Sequence, residues 1–365
     1  MSSVSAPLRV GFIGGGFMAA VHSRAARAAR ASLAGIVSSS DASSATAADL
    51  LGFESAYPSA EALLADATID AVHIVTPNAT HFDLALAAVR HGKHVVCEKP
   101  LTTSTAHAAL LVAEAEKAGV TATVPFVYRF HPMVREARAR VAAGEAGGLL
   151  SIQGSYLQDW LLAASDDNWR VDEALGGPSR AFADIGSHLC DLVEFVTGDR
   201  IARLQAVTHT VFDERSSRAV TTEDLAAVLF TTRAGALGTL LVSQVAPGRK
   251  NRLHVEFHGS AESIAFDQEN PEVLWLGRQT GSQLLTRQPG LSADAERLAV
   301  LPPGHPLGYQ DAFSAFVADT YAAIGGEARD GLPTFEDGLR AVTLTDAVLE
   351  SARTSTWIDI EGTNP

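Results

Sequence analysis

The chain has 365 residues, 47% of them hydrophobic and 19% charged, which describes a well-packed globular protein too long for one ordinary core. Its formal net charge of -14 argues against nucleic acid or an anionic membrane surface as a partner. Two cysteines, Cys97 and Cys190, are too few for a disulfide framework and point to a reducing, cytoplasmic setting. No signal-peptide order and no membrane-length apolar run is expected.

Leu8 to Ile13 reads as a short strand that runs into Gly14-Gly15-Gly16-Phe17-Met18-Ala19 and then a helical pattern, Ala20 to Ala31. Strand, Gly-x-Gly-x-x-Ala and helix in that order form a dinucleotide-binding fingerprint. Gly14 permits the tight turn, Gly16 lets the backbone approach a pyrophosphate, and Ala19 packs the helix on the strand. The amides at the helix start, next to Phe17 and Met18, then hold phosphate charge.

The second strand, Leu33 to Val37, ends in Ser38-Ser39-Ser40-Asp41. A carboxylate at this end would bind the adenosine ribose of NAD. Serine at Ser38 leaves room for a 2′-phosphate and tilts the choice toward NADP, while Asp41 and the lack of an arginine oppose it. The cofactor is therefore read as NAD(P). The serine run also reads as a plain flexible loop.

Asp70 to Val75 is a buried strand ending in Thr76-Pro77-Asn78. A helix spans His81 to His91, and another strand spans His94 to Cys97. That strand ends in Glu98-Lys99-Pro100. A lysine at the carboxyl end of such a strand points to the crevice where α/β sheets bind ligands, and Pro100 restricts the loop. Val120 to Pro125 reads as a further strand. The β-α-β rhythm predicts a parallel sheet covered on both faces.

Gly14-x-Gly16-x-x-Ala19 with His22, then Thr76-Pro77-Asn78, then Glu98-Lys99-Pro100, resembles the glucose–fructose oxidoreductase / inositol dehydrogenase / MocA family in order and spacing. The resemblance implies a cofactor site built from Gly14, Gly16, Phe17, Met18, Ser38, Thr76, Pro77, Asn78, His81, Glu98, Lys99 and Arg129.

From Phe126-Val127-Tyr128-Arg129 onward the pattern changes, which predicts a boundary: a Rossmann domain over 1–125 and a second domain over 126–365. The fold class is thus α/β followed by α+β. After a helix at Met133 to Ala143, strands of period two follow at 151–158, 204–212, 225–231, 238–245 and 253–258, predicting a large open, mainly antiparallel sheet. The last helix and strand could pack back on the first domain. His254 and His258 read as outward strand positions rather than metal ligands, and no metal is expected. His209 reads as a strand residue. Pro302-Pro303-Gly304-His305-Pro306 reads as a rigid surface loop, and Gly308-Tyr309-Gln310 as a possible edge of the site.

Asp184-Ile185-Gly186-Ser187-His188 opens a helix that stops at Gly198. Asp184 and His188 share one side of a helical turn, so a carboxylate and an imidazole can serve one alcohol substrate. The alternative is a helix-start acid and a satisfied helical histidine. The family resemblance implies that Lys99, Asp184 and His188 form the catalytic group. It places Tyr128 and Arg129 near cofactor or substrate. Tyr156-Leu157-Gln158-Asp159-Trp160 and Trp169-Arg170 are similar to the levoglucosan dehydrogenase-like branch. The substrate-binding set is then Lys99, Tyr128, Tyr156, Gln158, Trp160, Trp169, Arg170, Asp184 and His188.

These readings converge on a dehydrogenase acting on a ring hydroxyl or ketone of a sugar or cyclitol, working as a homodimer or homotetramer through the second sheet. Two alternatives remain: a glycoside-cleaving enzyme using transient NAD-dependent oxidation, and a non-catalytic dinucleotide-binding regulator.

Overall fold

The computed structural model describes residues 7–360 and divides into two compact units, 1–127 with 309–339, and 128–308 with 340–365.

The first unit alternates strand and helix: β1 (Arg9–Ile13), α1 (Phe17–Ala28), β2 (Ser32–Val37), α2 (Asp41–Leu51), β3 (Ser55–Ala56), α3 (Ala60–Ala65), β4 (Ala71–Ile74), α4 (His81–Arg90), β5 (His94–Cys97), α5 (Thr105–Ala118) and β6 (Ala122–Thr123). Its six strands pair in the order β3-β2-β1-β4-β5-β6, and every pairing is parallel. The strands are apolar almost throughout because helices cover both faces; Val10, Phe12, Val72, Ile74, Val95 and Val96 are all buried. Strand order reverses between β1 and β4, so the chain leaves the carboxyl ends of these neighbours in opposite directions and opens a crevice there.

Helix α1 starts at Phe17, three residues before the sequence reading placed it. The Phe17-Met18-Ala19 segment is the helix's first turn, so the fingerprint's alanine already lies inside the helix. The serine run is not a loose loop. Ser40 caps α2 through a full capping box with Ser43, and Asp41 is the first residue of that helix. β6 is only two residues long, because Pro125 has no amide to extend the ladder, and Thr123 instead bridges to Thr334.

The second unit holds α6 (Pro132–Ala142), β7 (Leu149–Leu157), α7 (Glu173–Gly176), α8 (Ser187–Thr197), β8 (Ile201–His209), β9 (Glu214–Arg215), β10 (Arg218–Ala219), β11 (Leu225–Thr232), β12 (Leu237–Ser243), β13 (Arg252–Gly259), β14 (Ser263–Asp267), β15 (Val273–Arg278), β16 (Gly281–Thr286) and α9 (Ala293–Leu298). Helix α10 (Tyr309–Ile324) follows, then α11 (Phe335–Thr354) and β17 (Ile358–Asp359). Nine strands form one sheet, β16-β15-β14-β13-β7-β12-β11-β8-β17, antiparallel except for β7 beside β12. Burial alternates along β11, β12 and β13. Ala226, Val228, Phe230, Leu240, Val242, Leu253, Val255 and Phe257 form the covered face. On the other face Val207, Leu229, Leu237 and Leu241 are 69%, 45%, 53% and 44% exposed.

Two boundary expectations need correction. The predicted second domain, 126–365, is interrupted: Phe126, Val127 and residues 309–339 belong to the first unit. Helix α10 lies wholly in the first unit, where it packs on α1 and Gln310 donates to the Val21 carbonyl, and of the last helix, α11, residues 335–339 belong there too. The last strand, β17, instead pairs with β8 at the edge of the nine-stranded sheet.

Candidate active site

In the first unit the predicted cofactor residues gather on loops at the carboxyl ends of adjacent strands. β1 pairs with β4 so that Ile13 lies opposite Ile74, and β4 pairs with β5 so that Ile74 lies opposite Cys97. The glycine loop, Thr76-Pro77-Asn78 and Glu98-Lys99-Pro100 therefore leave three neighbouring strands side by side. Gly14 has φ +111, and a Cβ there would sit 2.6 Å from the Val75 carbonyl oxygen, so only glycine fits. Gly16 differs: a Cβ on it would meet no protein atom within 4 Å. Its small size keeps open the space in front of α1 rather than serving the packing of the chain.

The start of α1 is built unlike that of α2. Its N-cap, Gly16, offers no side-chain acceptor, and its first turn holds no acid. α2, by contrast, has its serine cap and Asp41. An uncapped, acid-free helix start behind a glycine loop suits a pyrophosphate, which would supply the missing acceptors and the negative charge. Phe17 is 77% exposed at this mouth. Ser38 packs its hydroxyl toward Gly15. The residues present fit a dinucleotide.

The loop carrying Lys99 is held from two sides. His81 is fully buried, with Nδ1 2.8 Å from the Pro100 carbonyl oxygen and Nε2 2.9 Å from that of Thr76, so one ring spans both loops. Burial lowers its pKa, partly offset by these carbonyls and by Glu98. His81 therefore acts on the loops from beneath rather than as a surface contact. Glu98 is buried, and its Oε2 accepts the Lys99 amide at 3.0 Å. The peptide between Lys99 and Pro100 is cis.

The second unit gathers the other predicted residues. The sequence reading had Asp184 opening an α-helix. It lies instead in a π-helical segment, Phe182–Gly186, that winds directly into α8. Glu223 anchors the segment: its Oε1 accepts the Ser179 hydroxyl at 2.7 Å and the amides of Arg180 and Phe182 at 3.0 and 2.9 Å. These contacts end the preceding loop in one geometry, and such π segments recur at functional sites.

Asp184 is half-buried, with Gln244 and Arg170 beside its carboxylate. The Gln244 amide donates to its Oδ2 at 2.8 Å, and Arg170 Nε stands 3.5 Å from its Oδ1. The Gln244 amide cannot be turned round, because Arg180 donates to its Oε1 at 3.4 Å. Arg180 is in turn fixed by Asp224, which also accepts from Arg215 at 2.7 Å; all three side chains are buried, and the two guanidiniums hold the Asp224 carboxyl below its usual range against the opposing effect of burial. Arg170 lies over the Trp169 ring at 4.3 Å, and Asn168 caps their turn.

His188 is buried beside two phenols. Its ring centroid is 5.0 Å from that of Tyr128 and 6.4 Å from that of Tyr156. The two hydroxyls lie 2.5 Å apart. Asn251 joins them: Tyr156 donates to its Oδ1 at 2.8 Å, and its Nδ2 donates to Tyr128 at 3.2 Å. Gln158 also donates to that Oδ1 at 2.8 Å, and Trp160 donates to Gln158 at 2.8 Å. Tyr128, Tyr156, Gln158 and Trp160 thus form one polar chain with Asn251 at its centre. Burial raises the Tyr128 pKa, so it stays a neutral phenol.

Arg129 does not sit loose for a cofactor phosphate. It is buried in a two-pronged ion pair with Asp191, with its guanidinium 5.0 Å from the Phe195 ring centroid. His254 and His258 sit on one strand, as the sequence implies. His254 and His258 each stand 3.5 Å from Glu256 between them. Among the described residues no cluster of three His, Cys, Asp or Glu side chains is arranged to hold a metal. The 301–306 loop is pinned by Arg287, which donates to the carbonyls of Leu301, Pro302 and His305. Gln244, Asn251 and Glu223 had no signal in the sequence.

Residues 8–126 match the model of the oxidoreductase family with an NAD-binding Rossmann fold, and residues 134–265 match that of the GFO/IDH/MocA C-terminal domain. A levoglucosan dehydrogenase from Pseudarthrobacter phenanthrenivorans is 28% identical, over 97% of this chain and 98% of the relative. A solved levoglucosan dehydrogenase in complex with NADH superposes with a TM-score of 0.92 at 29% identity, covering 97% of this chain and 99% of that one. An oxidoreductase domain protein from Kribbella flavida gives a TM-score of 0.91 at 34% identity, covering 98% and 100%.

Proposed function

The chain belongs to the GFO/IDH/MocA family of NAD-binding oxidoreductases, and on that premise we propose that it moves a hydride between a nicotinamide cofactor and a ring carbon of a sugar or cyclitol, as the related dehydrogenases' names describe. The observation that carries the chemistry is a fixed carboxylate, Asp184, and a buried imidazole, His188, four residues apart on one continuous helical run, each beside polar side chains. A cluster that rich in phenol and amide groups suits a polyhydroxylated ligand rather than an apolar one.

The nicotinamide, when bound, supplies the hydride acceptor or donor; the chain's own residues manage the proton and the geometry. His188 takes the proton from the reacting hydroxyl. Lys99 stabilises the alkoxide charge that develops on that oxygen and passes the proton on. Asp184 accepts a hydrogen bond from the substrate and fixes its orientation, its own direction set by Gln244. Tyr128, Tyr156, Gln158, Trp160, Trp169 and Arg170 line the rest of the sugar subsite. Gly14, Gly16, Phe17, Met18, Thr76, Pro77, Asn78 and His81 shape the cofactor side.

Ser38 in place of a carboxylate admits the 2′-phosphate of NADP, and our reading leans to that cofactor, although the solved relative carries NADH. Ser38→Asp is expected to abolish use of NADP⁺ while keeping that of NAD⁺. An unchanged ratio of the two kcat/KM values would remove Ser38 from cofactor selection. The exposed apolar row of Val207, Leu229, Leu237 and Leu241 supports a homo-oligomer closed through the outer sheet face. No helix among the described residues is long and apolar enough to cross a membrane; a cytoplasmic location accords with the two buried free cysteines. Neither the glycoside-cleaving nor the regulatory alternative draws support from the relatives.

The test is a matrix of NAD⁺ and NADP⁺ against levoglucosan, glucose, galactose, xylose, myo-inositol and scyllo-inositol, following the absorbance of the reduced cofactor. A rate with one of these substrates that disappears in Lys99→Ala supports the reading. Dinucleotide binding without turnover on any of them counts against it.

A further inference from the structure

Four buried titratable side chains in the first unit join end to end. Glu98 Oε1 is 2.9 Å from His22 Nε2, His22 Nδ1 is 2.8 Å from His73 Nδ1, and His73 Nε2 is 2.8 Å from the Tyr321 hydroxyl. His22 and His73 are 0% exposed, Glu98 and Tyr321 7% each. The members come from α1, β4, α10 and the loop after β5, so the line ties the helix behind the glycine loop to the loop of Lys99. No step of the proposed reaction uses the two histidines or the tyrosine.

The line has one consistent direction. A carboxylate only accepts, so His22 must donate from Nε2. A neutral imidazole has a single N–H, so His22 Nδ1 is an acceptor and His73 Nδ1 must carry its proton. His73 Nε2 is then the acceptor for the Tyr321 hydroxyl. Every donor points the same way, from tyrosine to carboxylate, and no polar atom along the line lacks a role. Burial keeps the His73 pKa well below its ordinary value and pushes that of Tyr321 up, as two neutral links require. Burial alone would raise the Glu98 pKa. The His22 hydrogen bond, the nearby charge of Lys99 and the Lys99 amide bring it below the ordinary value.

We propose that His22, His73 and Tyr321 are positioning residues for the reaction: they form a one-way hydrogen-bonded relay that fixes the Glu98 carboxylate and, through its bond to the Lys99 amide, the backbone from which the lysine projects. His73 is well placed for this role, stacked on Phe12 with centroids 4.5 Å apart and planes 5° from parallel, and His22 packs on Phe313 of α10. Relays of this kind strengthen each link and are costly to break at any member. The inference rests on the reading that Lys99 acts in catalysis, so its tests include one that does not depend on turnover.

The first arm is nitrogen NMR of the whole protein labelled with ¹⁵N-histidine, with His73→Phe and His22→Gln giving the assignments. The expected result is opposite tautomers, Nε2–H on His22 and Nδ1–H on His73, across the neutral range. The same tautomer on both rings overturns the relay. The second arm is the pH dependence of kcat/KM. The ionisable groups facing Glu98 are His22 from α1, His73 behind it on β4, His81 from α4, and its chain neighbours Cys97 and Lys99. Removing the His22 donor raises the Glu98 pKa, so in His22→Leu the acid limb should move to higher pH by roughly one unit. Activity at neutral pH should fall roughly tenfold.

His22→Gln, whose amide can donate where Nε2 did, should restore both. Tyr321→Phe keeps its ring and should show a smaller loss in the same direction; it serves if His22→Leu does not fold. An unmoved acid limb in these variants overturns the positioning role. Opposite tautomers together with a fully active Lys99→Ala would instead sink the catalytic reading of the lysine while leaving the relay as a feature of the fold.

Discussion

The two units hold their candidate site residues by different means. The first uses backbone: three loops leave the ends of three paired strands, and their geometry is imposed by Gly14, Pro77 and Pro100 and by main-chain carbonyls that His81 clasps. The second uses side chains drawn from strands, loops and a π segment, each oriented by another side chain: Asp184 by Gln244, Gln244 by Arg180, Arg180 by Asp224, and Tyr128, Tyr156 and Gln158 by Asn251. A backbone site tolerates changes in neighbouring side chains but not a misplaced Cβ. A side-chain network tolerates backbone drift but not the loss of one polar atom.

The sharpest way to break this contrast is at the two groups proposed to move the proton. Lys99→Ala and His188→Ala are each expected to lower kcat by roughly 10²–10⁴-fold while cofactor binding, measured by fluorescence quenching, persists. Near-normal turnover in both would remove the assignment. Next in size is Gln244→Leu, which is close in volume but removes the amide donor to Asp184 Oδ2 and one of the several acceptors of Arg180. A loss of roughly 10–100-fold in kcat/KM is expected, with the circular dichroism spectrum retained. A change confined to stability would mean that Gln244 serves packing only.

The glycine loop gives a third test, in which two similar substitutions should part. Gly14→Ala places a methyl 2.6 Å from a backbone oxygen at φ +111 and should cost at least about 1–2 kcal/mol of stability in urea unfolding. Gly16→Ala meets no protein atom within 4 Å; it should melt like the wild type and lose dinucleotide affinity. Equal melting of Gly14→Ala and Gly16→Ala would contradict the different duties assigned to the two glycines.

The smallest effect lies away from the site. Tyr57 donates to Asp66 at 2.5 Å, which pushes the tyrosine up to about 12 and, with the Thr68 amide, the aspartate down to about 2. An acid with a depressed pKa adds stability above its unfolded pKa and loses it as the pH falls through the folded value. Tyr57→Phe should therefore flatten the fall in Tm between about pH 4 and pH 2. The effect will be modest because Asp66 is part-exposed.

The same contrast explains what the sequence could disclose. A tight turn needs glycine and a rigid loop needs proline, so the first unit's loops leave local, ordered marks: Gly14, Thr76-Pro77-Asn78 and Lys99-Pro100 all stand where the reading put them. Asp184 and His188 were legible as residues, but not the π segment beneath them, because its anchor, Glu223, lies 41 residues beyond Phe182. Gln244 and Asn251 carry no local signature. Their partners Asp184 and Tyr128 are 60 and 123 positions away, and neither amide differs by type from a solvated surface residue. The return of α10 to the first unit was hidden for the same reason: its contact with α1, Gln310 to Val21, spans 289 positions. His73 reads in sequence as one more residue of a buried strand, and its role shows only when Tyr321, 248 positions away, is placed beside it.

The most direct test of the proposed chemistry is the kcat of Lys99→Ala, His188→Ala and the double variant, measured on the substrate that the matrix identifies. Residues that serve one proton-transfer step are strongly non-additive. The double variant is therefore expected to be no more than a few-fold slower than the slower single variant. Losses that multiply would show that Lys99 and His188 act on separate steps, and the shared catalytic role assigned to them would fall.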